Sequence, residues 1–254
     1  MKKNSKKIIF CFFGILALII GYLILANFSI YYRINQADLI TPDSKYAYTI
    51  GGDRTNSTSM VYAALGDSLT SGVGVDKYER SFPYLLALKL SQQKQAQIDL
   101  RTFAYPGART ADFIENLLGP AIAAKPDIVT LLIGTNDIHG NVGIDQFRAN
   151  YDHILGRLTK ETQAKIYLIS IPYIGSDELM LPPLNYYFQR QARVYNEIII
   201  SLAEKYDLRY IDINNPTFTQ SQKNEGYYSR DLFHPSSEGY RLWAQIIYDN
   251  DINR

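Results

Sequence analysis

The chain begins with a basic segment that is followed by a long apolar run. Lysine occupies positions 2, 3, 6 and 7, and the 19 residues from 8 to 26 carry no charge and are mostly Ile, Leu and Phe. As a helix this run is about 28 Å long, close to the hydrocarbon thickness of a bilayer. The pattern predicts a cytoplasmic basic segment over residues 1–7 and a transmembrane signal anchor over residues 8–28.

A cleaved signal peptide is the competing interpretation of this run. The apolar region of a signal peptide usually has about 7–15 residues and ends in small residues at the cleavage site. Here the run is longer. Its end reads Ile24, Leu25 and Ala26, whereas a small-x-small cleavage site needs a small residue in the place of Ile24 as well as of Ala26. We therefore expect an uncleaved single-pass anchor in the cell membrane, and a secreted form only if the N-terminus is cleaved. Because lysine-rich segments stay in the cytoplasm, the chain beyond Arg33 is expected to be extracytoplasmic.

The composition changes after the apolar run. Residues 29–59 are polar and mixed, with Pro42, Gly51 and Gly52, which is typical of a stalk or linker. From residue 60 to residue 254, short apolar runs alternate with segments of helical periodicity. The predicted strands are 61–65, 98–104, 128–133, 166–171 and 210–213, and the predicted helices are 81–93, 110–124, 144–162, 185–206 and 235 to about 248.

This alternation defines the predicted fold class. Strands that are apolar on both faces and alternate with helices are typical of a parallel sheet covered by helices on both sides. We therefore predict a three-layer α/β/α sandwich with a five-stranded parallel sheet, preceded by an N-terminal transmembrane helix. The 195 residues from Met60 onward are enough for one domain with a sizeable core.

Charge and cysteine content exclude several classes of partner and site. The net charge is +1, but residues 1–32 hold four Lys and no acid, so the remainder carries 22 basic and 25 acidic residues. A mildly acidic body gives no electrostatic reason to expect a nucleic-acid partner. The only cysteine, Cys11, lies in the apolar run. The predicted domain can therefore form neither an internal disulfide nor a cysteine-based zinc site.

Residues suited to ester hydrolysis follow three of the predicted strands. Ser68 follows the first strand in Gly-Asp-Ser-Leu, Gly107 follows the second in Ala-Tyr-Pro-Gly-Ala, and Asn136 follows the third in Gly-Thr-Asn-Asp. Ligands bind beyond the carboxyl ends of parallel strands, so these residues are expected at one edge of the sheet. They offer a hydroxyl nucleophile and hydrogen-bond donors for an oxyanion. Taken singly, each also fits an ordinary turn or helix cap.

A serine hydroxyl needs a neighbouring base, and the chain has three histidines. His153 lies in a predicted helix and is expected at the surface or in packing. His139 follows the Gly-Thr-Asn-Asp loop, but nothing in the sequence orients it. His234 lies three residues after Asp231, a spacing at which one turn brings the carboxylate and the imidazole together.

In this order the motifs resemble those of the SGNH, or GDSL-type, hydrolase family over about residues 61–248. The four letters of the family name match Ser68, Gly107, Asn136 and His234, the last in Asp-x-x-His-Pro. The resemblance implies a flavodoxin-like SGNH hydrolase fold. The pattern Gly-x-Ser-x-Gly of α/β-hydrolases is absent, because Thr70 occupies its last position.

The resemblance also implies a role for each residue. Ser68 is expected to be the nucleophile that forms an acyl intermediate, His234 the general base and then the general acid, and Asp231 the carboxylate that orients His234. The oxyanion hole is expected to consist of the backbone N–H groups of Ser68 and Gly107 and the side-chain amide of Asn136. No metal or organic cofactor is expected.

Three charged residues near these motifs have expected structural roles. Asp67 and Asp137 are expected to accept hydrogen bonds within their own loops. Arg109 follows Gly107 closely enough to meet an anionic group of a substrate, but solvated surface is the expected role.

The substrate is an ester whose acyl and alcohol parts are left open. The segment 172–187 is long for a strand–helix connection and resembles a lid. Its apolar residues either line an acyl groove or pack against the last helix; they are Leu179, Met180, Leu181 and Leu184. A groove would suit a GDSL-type lipase or acylhydrolase of the lysophospholipase kind, whose domain the membrane anchor holds near its lipid. The alternatives are a cell-wall carbohydrate O-acetylesterase and a non-catalytic membrane-tethered binding protein on the same fold.

Overall fold

The computed structural model describes residues 2–36, 39–43, 47–51, 59–221 and 226–252. Helix α1, Lys2–Gln36, contains the predicted anchor and continues past residue 28 into the segment predicted as a stalk. Among the described residues it holds the one stretch that is long and apolar enough to cross a membrane, Lys7–Arg33. Residues 37–38, 44–46 and 52–58 of the predicted stalk lie outside the described residues.

A single sheet forms the centre of the domain. Its strands are β1 (Ala47–Ile50), β2 (Ser59–Gly66), β3 (Gln97–Ala104), β4 (Ile128–Leu132), β5 (Lys165–Ile169) and β6 (Arg209–Ile211). They lie in the order β1-β3-β2-β4-β5-β6. The five strands β2 to β6 pair in parallel, and β1 pairs antiparallel with β3. The prediction of a five-stranded, wholly parallel sheet is therefore wrong by one antiparallel edge strand.

The additional strand β1 lies within the segment predicted as a stalk. It has four residues, too few for a periodic pattern to reveal it. Its stability comes from distant contacts: Ile50 is buried opposite Ile98, and Tyr48 stacks on Tyr78 with ring centroids 5.1 Å apart. Cross-strand pairs and aromatic stacking of this kind are not visible in a local sequence window.

The described residues form ten α-helices. After α1 they are α2 (Ser68–Ser71), α3 (Phe82–Lys94), α4 (Thr110–Asn116), α5 (Leu118–Ala123), α6 (Thr135–His139), α7 (Ile144–Glu161), α8 (Leu184–Lys205), α9 (Asn214–Ser221) and α10 (Ser237–Ile247). The predicted helix 110–124 is divided between α4 and α5 near Pro120, a residue that lacks an N–H and favours the first turn of a helix over its interior. Ser236 is the N-cap of α10, because its side chain accepts hydrogen bonds from two backbone N–H groups.

The helices cover both faces of the sheet, as predicted for a three-layer sandwich. Residues on opposite faces of β2 illustrate the division: Leu65 belongs to the core cluster that includes residues of α4, α5, α7 and α8, whereas Tyr62 belongs to the cluster that includes residues of α3 and α10. Both faces of the parallel strands are therefore apolar and buried, which explains the short, continuously apolar runs in the sequence.

A soluble fragment that begins at residue 56 is expected to be less stable than one that begins at residue 39. It lacks β1 and the buried side chain of Ile50, whose burial alone contributes about 2 kcal/mol. It also lacks the carbonyl of Ile40, which accepts a hydrogen bond from the Gly74 N–H at 2.8 Å. Urea unfolding of the two fragments measures the difference, and a fragment that begins at residue 47 isolates the part due to the strand. Equal midpoints for all three would contradict this role of β1.

Candidate active site

The three loops that carry the predicted site residues begin at the same level of the sheet. In the strand register, Gly66 of β2 lies beside Ala104 of β3 on one side and beside Leu132 of β4 on the other. These residues end three neighbouring parallel strands, so the loops that follow them leave the same edge side by side. The loops carry Ser68, Gly107 and Asn136.

Ser68 is the first residue of the short helix α2. The side chain of Asp67 caps this helix, because its Oδ1 accepts a hydrogen bond from the Leu69 N–H at 3.0 Å. The helix ends at Gly72, which has φ of +81°, a conformation that favours glycine. The serine is thus held in a tight turn between β2 and the loop that follows α2.

His234 belongs to a loop that its neighbour Asp231 organises. Asp231 Oδ1 accepts hydrogen bonds from Ser229 Oγ at 2.7 Å and from the backbone N–H groups of Phe233 and His234, both at 2.9 Å. Leu232 takes a φ of +59°, a strained value for a side chain of this kind. The three hydrogen bonds to one carboxylate oxygen hold this turn in place.

The turn brings a carboxylate, an imidazole and a hydroxyl into one row. Asp231 Oδ2 lies 2.5 Å from His234 Nδ1, and His234 Nε2 lies 3.0 Å from Ser68 Oγ. The exposed fractions of Asp231, His234 and Ser68 are only 4%, 8% and 7%. Burial by itself raises the pKa of Asp231, but the hydrogen bond and charge of His234, together with its other donors, hold that pKa below its usual value. The carboxylate is therefore ionised and can orient the imidazole.

Gly107 and Asn136, the two further predicted residues, lie in neighbouring loops that a hydrogen bond joins. Asn136 Nδ2 donates a hydrogen bond to the carbonyl of Ala108, the residue after Gly107, at 3.0 Å. Gly107 has φ of +85°, and no heavy atom would lie within 4 Å of a Cβ placed on it. The backbone at Gly107 thus borders open space, as a group that meets a substrate must.

Asp137 strengthens the same connection between loops. Its Oδ2 accepts a hydrogen bond from the Thr110 N–H at 3.0 Å, and its Oδ1 accepts one from Thr110 Oγ1 at 2.5 Å. Asn150 Nδ2 donates to the same Thr110 hydroxyl at 2.9 Å. The expectation that Asp137 bonds within its own loop is therefore wrong, because its partner is 27 residues away. Burial raises the pKa of Asp137, while Thr110 and the charge of Arg109 partly offset that rise.

Asp67 accepts a hydrogen bond within its own loop, as expected, but only through Oδ1. Its Oδ2 is buried and has no hydrogen-bond partner among the described residues. Burial raises the pKa of Asp67 to about 7, the Leu69 N–H lowers it, and the nearby charge of Asp137 raises it further. The carboxyl group therefore carries a proton over part of the range in which an ordinary aspartate is ionised.

Because Asp67 holds a proton in the folded state, its contribution to the free energy of unfolding is expected to fall as pH rises. Between the unfolded pKa of about 3.9 and the folded pKa of about 7, the folded state holds a proton that the unfolded state has released. The free energy of unfolding should therefore fall from pH 4 to pH 7, and Asp67→Asn should remove part of that fall, by about 1 kcal/mol per pH unit. Urea unfolding at several pH values from 4 to 7 measures the free energy of unfolding of the parent and of Asp67→Asn. Asp76→Asn, which changes an exposed carboxylate, is the control. Parallel curves for parent and Asp67→Asn would contradict the prediction.

Among the described residues, the hydrogen bond to the Ser68 hydroxyl comes from His234 and not from the other two histidines. The ring of His139 contacts Phe188 and Phe233, with centroids 4.9 Å and 5.3 Å apart. Desolvation by these surroundings and the charge of His234 lower the pKa of His139. His153 is exposed on α7, as the sequence predicts. Arg109 is exposed as well, with its guanidinium beside Gly140.

Two of the four apolar residues of the segment 172–187, Leu179 and Met180, do not line an acyl groove. Leu179 and Met180 are buried in the core cluster that contains α7 and α8, and not in the cluster that contains α10. Both alternatives, an acyl groove and packing against the last helix, are therefore wrong for these two residues. Leu181 is exposed and Leu184 is half-buried.

A narrow crevice adjoins the loops that carry Ser68 and His234. It lies among Leu69, Thr135, Phe233 and Trp243. Its volume of about 10 Å³ is the space of about one water molecule. An acyl chain therefore needs another route to Ser68 than this crevice.

A buried carboxylate–imidazole–hydroxyl row at the carboxyl edge of a parallel sheet is the arrangement of a serine hydrolase. The model of the GDSL-like lipase/acylhydrolase family matches residues 64–242. The chain belongs to this family, and it is a carboxylic ester hydrolase.

Individual relatives agree with this family. The chain is similar to the spore germination lipase LipC of Bacillus licheniformis, with 26% identity over an alignment of 206 residues and coverage of 74% of this chain and 95% of that protein. The structure is similar to the lipase/acylhydrolase of Enterococcus faecalis, with a TM-score of 0.63, 20% identity, and coverage of 76% of this chain and 95% of that chain. It is also similar to the acetylxylan esterase Axe2 of Geobacillus stearothermophilus, with a TM-score of 0.60, 18% identity, and coverage of 76% and 94%. At these identities the two structural similarities show the fold alone.

Sequence reasoning missed the residues that hold the loops in position. Ser229 supports Asp231, and Thr110 with Asn150 supports Asp137. Thr110 begins a helix and Asn150 lies within one, so each fits a common local role. The partners of Thr110 and Asn150 lie far away in the sequence, so no local signal identifies these two residues.

Proposed function

We propose that this chain is a membrane-anchored serine ester hydrolase in which Ser68 is the nucleophile. The observation that carries the proposal is the continuous row from Asp231 through His234 to Ser68, with distances of 2.5 Å and 3.0 Å. An ionised Asp231 accepts the Nδ1–H of His234 and leaves Nε2 free to take the proton of the serine hydroxyl.

The reaction proceeds in two steps. Ser68 Oγ attacks the acyl carbonyl while His234 Nε2 takes its proton, and the same proton then passes to the leaving alcohol. Water, activated by His234, next hydrolyses the acyl-serine. The negative oxygen of each tetrahedral intermediate is stabilised by the N–H groups of Ser68 and Gly107 and by the amide of Asn136. Loss of one such donor typically lowers turnover by about 10²–10³-fold.

The membrane anchor in this proposal is the N-terminal part of α1. The helix has lysines before its apolar stretch and Arg33 after it, and its apolar residues are mostly exposed. By the positive-inside rule the catalytic domain then lies outside the cytoplasm.

A lipid acyl ester is the first candidate substrate. Anchoring keeps the domain beside such a substrate, and the relative LipC is named a lipase. A lysophospholipid or a similar ester with a medium-length acyl chain fits this candidate.

A short-chain ester of a carbohydrate is the second candidate. It is favoured by the burial of Leu179 and Met180 in the core and by the narrowness of the crevice beside the site. The fold is also shared with an enzyme named an acetylxylan esterase.

Two measurements test the function and separate the candidates. A fluorophosphonate probe should label the protein at Ser68, and absence of an adduct on the folded protein would contradict the mechanism. Rates with p-nitrophenyl esters from acetate to decanoate then distinguish the substrates. A rate that stays level or rises with chain length excludes the O-acetylesterase, whereas a steep fall after acetate excludes the lipase.

A further inference from the structure

One face of α1 packs against the catalytic domain. Ala26 is only 4% exposed, and Ile30 packs against the core cluster that contains α7 and α8. Tyr22 and Arg33, on the same face at helical spacing, form the polar contacts described below. The residues between them are mostly exposed and apolar, so α1 presents one face to the domain and the rest of its surface outward.

Two polar contacts fix the direction in which the domain lies along α1. Tyr22 Oη donates a hydrogen bond to the carbonyl of Pro182 at 2.6 Å, and Arg33 Nη1 lies 3.1 Å from Glu178 Oε1. Tyr22 and Arg33 are about 16 Å apart along the helix axis. The segment 178–182 therefore runs beside α1, with its charged end toward Arg33 and its proline end toward the apolar run.

These contacts set the depth of the domain relative to a bilayer. A hydrocarbon layer of about 30 Å accommodates about 20 helical residues, so a span that begins after Lys7 ends close to Ala26. Tyr22 lies one turn before that end, and its partner Pro182 lies at the same level. The part of the domain around Pro182 is thus brought to the outer boundary of the hydrocarbon.

The residues exposed around Pro182 suit that position. Leu181 is 37% exposed, Tyr186 is 70% exposed and Tyr187 is 45% exposed; we call these three residues the rim. Tyrosine is enriched where a membrane protein meets the headgroup region, because its ring is apolar and its hydroxyl is polar. The acidic residue of the segment, Glu178, is at its far end and is paired with Arg33.

A row of aromatic rings leads from the rim to the active site. The ring of Tyr187 contacts Phe188 at 5.3 Å between centroids, and Phe188 contacts His139 at 4.9 Å. His139 contacts Phe233 at 5.3 Å, and Phe233 contacts His234 at 4.9 Å. Phe188 and Phe233 are half-buried, and His139 keeps an exposed surface although its aromatic neighbours desolvate its ring, so the row can be reached from the surface at these residues.

The segment beside α1 is also joined directly to the loop of His234. The N–H of Ser176 donates to the carbonyl of Leu232 at 2.8 Å. Tyr228 Oη donates to the carbonyl of Gly175 at 2.7 Å. The rim and the catalytic loop therefore belong to one packed unit, and the orientation of the first determines that of the second.

We propose that the rim lies in the outer interface of the bilayer, and that the aromatic row guides the acyl chain of a membrane lipid ester to Ser68. This inference rests on the anchoring and the ester hydrolysis proposed above. In place of the acyl groove that was one alternative from the sequence, to which Leu179 and Met180 would have contributed, it assigns the acyl route to a surface formed by Tyr187, Phe188, His139 and Phe233. An acyl chain that leaves the bilayer at the rim stays in contact with apolar rings up to the catalytic histidine.

The position of the rim is tested on the full chain in vesicles of phosphatidylcholine and phosphatidylglycerol. Cys11 is the only cysteine, so Cys11→Ser provides a background for single cysteines labelled with an environment-sensitive fluorophore. Leu181→Cys and Tyr187→Cys should give blue-shifted emission that spin-labelled lipids quench. Lys94→Cys, exposed at the end of α3 at the opposite edge of the sheet, is the control and should give neither effect. A rim label that remains in water overturns the proposed orientation, whether or not the protein hydrolyses esters.

The role of the row is tested with Phe188→Ala. Loss of one aromatic contact with a long chain should lower kcat/KM for a decanoyl ester about tenfold more than for an acetyl ester. Phe218→Ala, which removes a half-exposed aromatic ring from α9, should change both esters equally. If Phe188→Ala also affects the two esters equally, the row is not the acyl route. Failure of fluorophosphonate to label Ser68 would instead refute the proposed chemistry and leave the fluorophore measurement to decide the orientation.

Discussion

Replacement of Ser68 by alanine is expected to lower kcat by about 10⁴–10⁶-fold on any ester that the protein hydrolyses. The hydroxyl lies 3.0 Å from His234 Nε2 and is the atom that forms the acyl intermediate in the proposed reaction. Without it, only the oxyanion donors and substrate binding can accelerate hydrolysis by water. Initial rates with p-nitrophenyl acetate and labelling by a fluorophosphonate measure the loss.

The fold should survive this substitution. Helix α2 is capped by the side chain of Asp67, not by that of Ser68. Ser71→Ala is a matched control, because Ser71 is a buried serine in the same helix whose hydroxyl donates only to the carbonyl of Ser68, at 3.1 Å. Circular dichroism should be unchanged in both variants, and Ser71→Ala should still react with the probe. Activity in Ser68→Ala close to that of the parent would exclude Ser68 as the nucleophile.

Asp231→Asn is expected to lower kcat by about 10⁴-fold while the protein remains folded. Three donors face Asp231 Oδ1, from Ser229, Phe233 and His234, so the oxygen of the new amide must occupy that position. Its NH₂ group then takes the place of Oδ2 and faces His234 Nδ1, which lies 2.5 Å from Oδ2 in the parent.

Two N–H donors cannot share that contact, so the imidazole must change tautomer. Its proton moves from Nδ1 to Nε2, and the nitrogen that faces Ser68 is then a donor and no longer a base. Activity is lost although every residue of the row except Asp231 is intact. The three hydrogen bonds to the oxygen are retained, so the free energy of unfolding should change little.

Nitrogen NMR of the imidazole distinguishes this cause from simple unfolding. The parent should carry the proton on Nδ1, and Asp231→Asn should carry it on Nε2. Asp76→Asn, at an exposed carboxylate that pairs with Arg80, is the control and should keep both the activity and the tautomer. A parent tautomer in Asp231→Asn together with lost activity would mean that Asp231 acts in some other way.

Much of the domain could be predicted because its signals are local. The runs around Val61, Ile128 and Ile166 are apolar on both faces, which a buried parallel strand requires, and all three form strands of the sheet. The site residues follow strand ends in short motifs, and the spacing of Asp231 and His234 allows one turn to join them. These inferences depend on neighbours within a few positions, so the amino-acid order is enough to make them.

Other features depended on contacts that link distant parts of the chain. Four residues of the predicted stalk form β1 because Ile50 and Tyr48 find partners in β3 and beside α3. Asp137 binds Thr110 in another loop, and Met180 enters the core, although their local sequences fit other roles equally well. A short polar or apolar motif has several favourable partners, and only the folded chain selects among them.

The sequence by itself determined the apolar run, the alternation of strands and helices, and the set of chemical groups at the strand ends. The tertiary structure decided which of those groups touch, which apolar side chains are buried, and which edge of the domain lies along α1. The reason is physical: periodicity and turn chemistry act over a few residues, whereas burial, hydrogen bonding between loops and the packing of α1 depend on the simultaneous position of elements far apart in the chain.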